Sequence, residues 1–190
     1  MEPIHITTPF TKEQARSLKA GDFVRISGII YTARDAAHKR MMEALSRGEK
    51  LPVDFTNQII YYVGPSPAKP GQVIGSAGPT TSGRMDAYTP EMLKQGLLGM
   101  IGKGYRTPEV IEAMKAQGAV YFAATGGAAA LIAATVKSYD VVAYGDLGAE
   151  ALARMNVEKF PAIVVIDAHG GNFYQEGQKQ FNRLPQDGAL

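Results

Sequence analysis

The residues best equipped for chemistry lie in one short stretch, Gly75-Ser76-Ala77-Gly78-Pro79-Thr80-Thr81-Ser82-Gly83-Arg84-Met85-Asp86. Between positions 75 and 84 it holds four hydroxyls (Ser76, Thr80, Thr81, Ser82), three glycines and one guanidinium. Glycines let successive backbone N–H groups converge on an anion, and the arginine fork matches a carboxylate or phosphate with two parallel hydrogen bonds. The Lys-Ser/Thr ending of a Walker loop is missing, so this is not a P-loop. A second candidate is Gly102-Lys103-Gly104, which follows an apolar run; ligands of α/β folds gather at such strand ends. Gly102-x-Gly104-x-x-Thr107 stops short of a dinucleotide fingerprint, because the third glycine and the downstream acid are absent. A third is Thr32-Ala33-Arg34-Asp35-Ala36-Ala37-His38-Lys39, which switches from strand-forming to helical spacing. A cation at a helix N-terminus opposes the helix dipole unless it serves another purpose, which singles out Arg34. Three cations near strand ends, beside a hydroxyl-rich loop, suit a small dianion such as a dicarboxylate. Each candidate also has a structural alternative: a plain turn, a solvated lysine, a surface helix start. No Ser-His-Asp spacing, cysteine nucleophile or H-E-x-x-H helix competes.

The elements that must position these residues alternate along the chain. Thr11 and Gln14 form a capping-box pattern opening a short helix to Leu18. Phe23–Thr32 is rich in strand formers, and 33–46 turns helical with Met41, Met42 and Leu45 on one side. Residues 57–63 read as a strand, followed by a Pro-rich loop, 64–71. Pro90–Gln95 is a short helix, Leu97–Ile101 a buried strand, and Thr107-Pro108-Glu109 opens a helix that Gly118 stops. Ala119–Ala124 is a strand, Gly126-Gly127 a turn, and the Ala-rich run after it a buried helix whose start packs closely or faces an anion. Val141–Tyr144 and Phe160–Asp167 are strands, with Asp146-Leu147-Gly148-Ala149-Glu150 a turn and helix start between them. This alternation predicts an α/β single domain over 1–190, a central sheet flanked by helices, with a polar tail from about 178.

Composition excludes several classes. The chain has 190 residues, with 20 Lys plus Arg, 18 Asp plus Glu and a net charge of +2, so no nucleic-acid or polybasic membrane surface is expected. It has no cysteine, hence no disulfide framework and no thiolate-held metal of its own, and three scattered histidines predict no metal site. Residues 116–136 carry no charge, but their glycines and threonines point to strand, turn and helix rather than a membrane span. Met1-Glu2-Pro3-Ile4-His5 lacks the basic opening of a signal peptide, and a cytoplasmic location is the expectation.

Gly78-Pro79-Thr80-Thr81-Ser82-Gly83-Arg84-Met85-Asp86, Gly102-Lys103-Gly104 and Thr32-Ala33-Arg34-Asp35-Ala36-Ala37-His38 resemble the β subunit of iron–sulfur hydro-lyases: class I fumarate hydratase and L(+)-tartrate dehydratase. Gly126-Gly127-Ala128-Ala129-Ala130, Asp146-Leu147-Gly148-Ala149-Glu150-Ala151 and Phe160-Pro161-Ala162 fall in the family's order, and the likeness covers nearly all of residues 5–180. The resemblance implies a swivelling β/β/α-type fold and an α partner that holds a four-iron, four-sulfur cluster through three cysteines. It implies Thr80 as catalytic base, with Arg34, Thr81, Arg84 and Lys103 binding the substrate; the Lys103 alignment needs one residue fewer in the preceding segment. The expected reaction is reversible hydration of fumarate to (S)-malate. Gly83 favours fumarate over tartrate, since tartrate dehydratase relatives carry a bulkier residue there. The expected partners are thus the α subunit and a dicarboxylate, and the isolated chain has the option of a homo-oligomer. A swivelling module without catalysis is the contrasting reading; a phosphohistidine carrier would rest on His169 alone.

Overall fold

The computed structural model describes residues 2–124 and 129–181. Strands β1 (Ile4–Thr7), β2 (Phe23–Thr32), β3 (Ile59–Tyr61), β4 (Gly99–Gly102), β5 (Val120–Ala123), β6 (Val136–Ala143) and β7 (Leu152–Ile166) form one seven-stranded sheet. Helices α1 (Lys12–Ser17), α2 (Asp35–Ser46), α3 (Thr89–Lys94), α4 (Pro108–Gln117), α5 (Ala129–Thr135) and α6 (Phe173–Phe181) connect and flank it. The α/β layering read from the sequence is what the chain adopts.

The sheet closes on itself. β2, β3, β4 and β5 run parallel in that order, and the 15-residue β7 lies antiparallel to both β5 and β2. The ring β2-β3-β4-β5-β7 is therefore a small barrel, with β1 added beside the first half of β2 and β6 beside the first half of β7. Closure removes most free strand edges and leaves an interior filled by side chains. Tyr61, Phe160, Phe122, Phe10, Ile26 and Ile30 are fully buried there. Tyr61 meets Phe160 edge-on at 5.1 Å, the arrangement preferred by aromatic quadrupoles.

Local signals explain most boundaries. The capping box at Thr11 forms with both reciprocal bonds, and β2 has the expected limits. Strand β1, Ile4–Thr7, is not expected from the sequence, and four further details differ. α2 buries Ala37, His38, Met41 and Ala44, one position off the expected Met41–Met42–Leu45 face, because His38 belongs to the interior. The 141–144 strand begins at Val136 and ends at Ala143, with Tyr144 in the left-handed region. The 160–167 strand starts eight residues earlier, at Leu152, since its alternating first half pairs along β2 and β6. Helix α6 extends to Phe181, into the expected polar tail, whose remainder lies outside the described residues. No helix among the described residues is long and apolar enough to cross a membrane.

Candidate active site

Because β2 to β5 are parallel, their C-terminal ends all emerge at one end of the barrel. β7 runs the other way, so the segment preceding it, ending at Glu150, arrives at that same end. Arg34 follows β2, Tyr62-Val63-Gly64 follows β3, and Lys103-Gly104 follows β4. This is the end at which open α/β sheets collect ligands. His169 follows β7 and so lies at the opposite end, with its ring bonded to the Arg16 carbonyl (3.0 Å).

The Thr80–Thr81 segment enters between the diverging ends of β3 and β4. Val63 pairs with Pro79, Thr80 N–H donates to the Tyr62 carbonyl (2.7 Å), and Thr81 bridges Lys103 in parallel. Lys103 N–H donates to the Thr80 carbonyl (3.3 Å), and Ser82 N–H donates to the Lys103 carbonyl (2.9 Å). Thr80 is half-buried, and Thr81, Arg84 and Lys103 are exposed, with Arg84 on a 3-10 helix, Ser82–Met85. Neither Arg84 nor Lys103 has an ion-pair partner among the described residues, so this end carries uncompensated positive charge. Gly102 makes the insertion possible: a β-carbon there would overlap Ser82 Oγ and lie 3.0 Å from Tyr62 Cδ2.

Arg34 is the N-cap residue of α2 and contributes no side-chain cap. Its guanidinium is held instead by Glu150, Nη2 to Oε1 at 3.2 Å, with Asp35 3.8 Å from Nε. Arg34 thus pairs across the fold, which resolves the electrostatic conflict of a cation at a helix start. The backbone trace places Arg34, Thr80, Thr81 and Lys103 on connected loops at one end. Arg84 stands on the same loop as the threonines. Gly126-Gly127-Ala128, expected to open a helix here, lies outside the described residues; Ala129 O accepts from Ala77 N–H (3.4 Å).

Beneath these loops lies a polar cluster that sequence reasoning missed. Arg106 is buried, its side chain 0% exposed; its Nε donates to Asp86 Oδ1 (2.7 Å) and its Nη2 to Thr89 Oγ1 (2.7 Å). The rings of Tyr62 and Tyr121 lie 5.5 and 5.1 Å from its guanidinium carbon, within cation–π range. Burial works against the Arg106 charge, but Tyr62, Asp86 and Tyr121 outweigh it and raise its pKa. Asp86 Oδ2 also accepts the Thr107 N–H (2.8 Å). Ser82 Oγ and the Tyr121 hydroxyl lie 2.9 Å apart, and Tyr121 donates to the Gly104 carbonyl (3.0 Å). Both links tie the loop bearing Thr80, Thr81 and Arg84 to the loop bearing Lys103. Burial pushes the Tyr121 phenol up, keeping it a hydrogen-bond donor. His38 packs between Tyr62 and Tyr88, and burial lowers it to about 4 even though its Nδ1 bonds the Arg34 carbonyl (2.8 Å). The available signal for the cluster was Asp86, on the motif itself, and Arg106, three residues beyond Lys103. Two charges on opposite sides of a helix and a strand carry no spacing rule that would pair them.

The fold and this end together define an α/β domain with a cationic, hydroxyl-bearing face suited to a small dianion. The family model described as Fumarase C-terminus matches residues 1–177, and the chain belongs to that family. A candidate L(+)-tartrate dehydratase subunit beta from Methanocaldococcus jannaschii is 43% identical over 176 residues, 90% of each chain. The aerobic class I fumarate hydratase of Escherichia coli K12 is 40% identical over 155 residues, 80% of this chain and 28% of that protein. Fumarate hydratase 2 of Leishmania major is 36% identical over 167 residues, 87% of this chain and 29% of that protein. The chain therefore spans little more than a quarter of these two fumarate hydratases and nearly all of the archaeal protein.

Proposed function

We propose that this chain is the β subunit of a class I fumarate hydratase, catalysing reversible hydration of fumarate to (S)-malate together with an α subunit. The observation that supports the reading is the end of the barrel where the loops bearing Arg34, Thr80, Thr81, Arg84 and Lys103 meet, with Arg84 and Lys103 lacking an ion-pair partner among the described residues. On this reading Arg34, Arg84 and Lys103 clamp the two carboxylates, and Thr81 adds a hydrogen bond. The Thr80 hydroxyl is a weak acid, and surrounding cations favour its alkoxide form, as opposite charge favours any anion. Alkoxide Thr80 takes the C3 proton of malate, the C3–H electron pair becomes the new double bond, and the C2–O pair leaves on oxygen. The departing hydroxyl would take its second proton from an acid on the partner and leave as water. The same cations stabilise the charge that develops on the carboxylate next to C3.

The family's iron–sulfur chemistry has no fitting ligand set here. The chain lacks cysteine, and no cluster of three His, Asp or Glu side chains that could hold a metal occurs among the described residues. We assign the four-iron, four-sulfur cluster to the partner and route no step through it on this chain. The exposure of Thr81, Arg84 and Lys103 supports this division, because a dianion bound there stays open on one side until a second surface covers it. A groove of about 550 Å³ between residues 66–76 and α5 contains none of the five proposed site residues. We take residues 1–190 as one such domain, with a cytoplasmic location and no nucleic-acid role.

The second reading is the β subunit of L(+)-tartrate dehydratase, favoured by the end-to-end match to the archaeal relative. Anaerobic assay of the chain, alone and mixed with a cluster-reconstituted α partner, against fumarate and L(+)-tartrate separates the two. Fumarate turnover only in the mixture is expected. Tartrate turnover alone would transfer the assignment, and activity of the isolated chain would refute the two-chain mechanism.

A further inference from the structure

We infer that Glu150 is a positioning residue for Arg34, fixing the direction in which its guanidinium fork meets a substrate carboxylate. The inference rests on the reading of Arg34 as a carboxylate clamp. Glu150 ends a 3-10 helix, Gly145–Glu150, and precedes β7, yet both its carboxylate oxygens are used at the β2–α2 junction. Oε1 pairs with Arg34 Nη2 (3.2 Å), and Oε2 accepts the Ala36 N–H (3.3 Å), 114 residues away in sequence. Ala36 carries one of the N–H groups that the start of α2 leaves unpaired, and Arg34, at the cap position, offers no side-chain acceptor. Glu150 therefore supplies from outside the helix both the missing cap and the negative charge that a helix start favours.

The opposite side of the guanidinium is equally confined. A β-carbon on residue 64 would lie 3.1 Å from Arg34 Nη1 and 3.2 Å from both its Cδ and the Ala149 carbonyl oxygen. Arg34 thus threads between the Gly64 backbone and the Ala149–Glu150 corner. Its side chain is 22% exposed, and its Nε is buried with no hydrogen-bond partner among the described residues. With Nε turned inward, 3.8 Å from Asp35 Oδ1, and the guanidinium held on two sides yet still partly exposed, Arg34 has the form of a preorganised fork.

Two measurements test this. In the ¹⁵N-labelled chain the Arg34 Nε–H resonance, assigned by its loss in Arg34→Lys, should exchange with water at least about tenfold faster in Glu150→Gln. In the assembled two-chain enzyme Glu150→Gln should raise KM for malate about tenfold while kcat stays within about threefold, the pattern of lost uniform binding. Glu150→Asp should recover part of the loss. The KM effect should vanish in an Arg34→Lys background, because Glu150 acts through Arg34. Unchanged Nε–H exchange, or a KM effect that persists without Arg34, overturns the positioning role while the clamp stands. Unchanged KM in Arg34→Lys itself would instead overturn the clamp, and the catalytic meaning of Glu150 with it. Thermal unfolding of each variant separates these effects from loss of fold.

Discussion

Asp86→Ala should destabilise the fold by about 3–4 kcal/mol, although Asp86 touches no substrate. The substitution leaves the Arg106 guanidinium in place, 0% exposed, without the one carboxylate that pairs with it among the described residues. Removing one partner of a buried ion pair costs roughly 3–5 kcal/mol, because the remaining charge keeps its desolvation penalty. Arg106 retains the Thr89 hydroxyl (2.7 Å) and the Tyr62 and Tyr121 faces. Each face offers a buried cation roughly 0.5–2 kcal/mol, which places the loss near the lower end of that range. The Thr107 N–H also loses its acceptor, but Thr107 is exposed and finds water, so this adds less than about 1 kcal/mol. At roughly 2–4 °C per kcal/mol for a domain of this size, Tm should fall by about 10 °C, measured by circular dichroism. Asp86→Ala/Arg106→Met should recover much of that loss, since a flexible apolar side chain removes the orphaned charge and fills the same space. A single-variant shift under about 3 °C, or a double variant less stable than the single one, would refute the reasoning, because neither is compatible with an uncompensated buried charge.

Three further outcomes are expected. Thr80→Ala should abolish turnover of the assembled enzyme while leaving Tm and partner binding close to native; near-normal kcat would remove Thr80 as base. Arg84→Lys should raise KM and lower kcat/KM by at least about tenfold, because a point charge cannot reproduce a two-pronged fork; unchanged kinetics would exclude Arg84 as a clamp. His38 titrates near 4 when folded against about 6.5 when unfolded, so the unfolded chain binds more protons between these values and stability falls as pH drops through that window. The loss attributable to His38 is about 2 kcal/mol at pH 5, and His38→Gln should flatten that part of the urea-unfolding profile between pH 7 and 5. An equal pH dependence in the variant would show that His38 is not the group responsible.

Most of the elements and the chemistry-bearing loops are read from the sequence by itself, but β1 and the first half of β7 are not. Strand-forming runs such as Phe23–Thr32, the Thr11 capping box and the Gly/Ser/Thr loop ending in Arg84 are local signals, and local signals are readable along the chain. The five candidate site residues are proposed from short motifs of distinctive composition, and their roles from the family resemblance. Tertiary structure alone decided how the strands close. The first half of β7 alternates Ala153, Met155 and Val157 with Arg154, Asn156 and Glu158, a strand pattern, but that β2 and β6 pair with it on both edges is visible only in the fold. It alone decided that Glu150 caps a helix that begins 115 residues earlier. The burial of Arg106 belongs to the same class, since its carboxylate and aromatic partners come from three different strand ends and loops. Hydrogen bonds and ion pairs act over a few ångströms of space, so sequence periodicity foretells them only when the partners are also neighbours in the chain. Closure of the barrel is what brought these distant residues within that range.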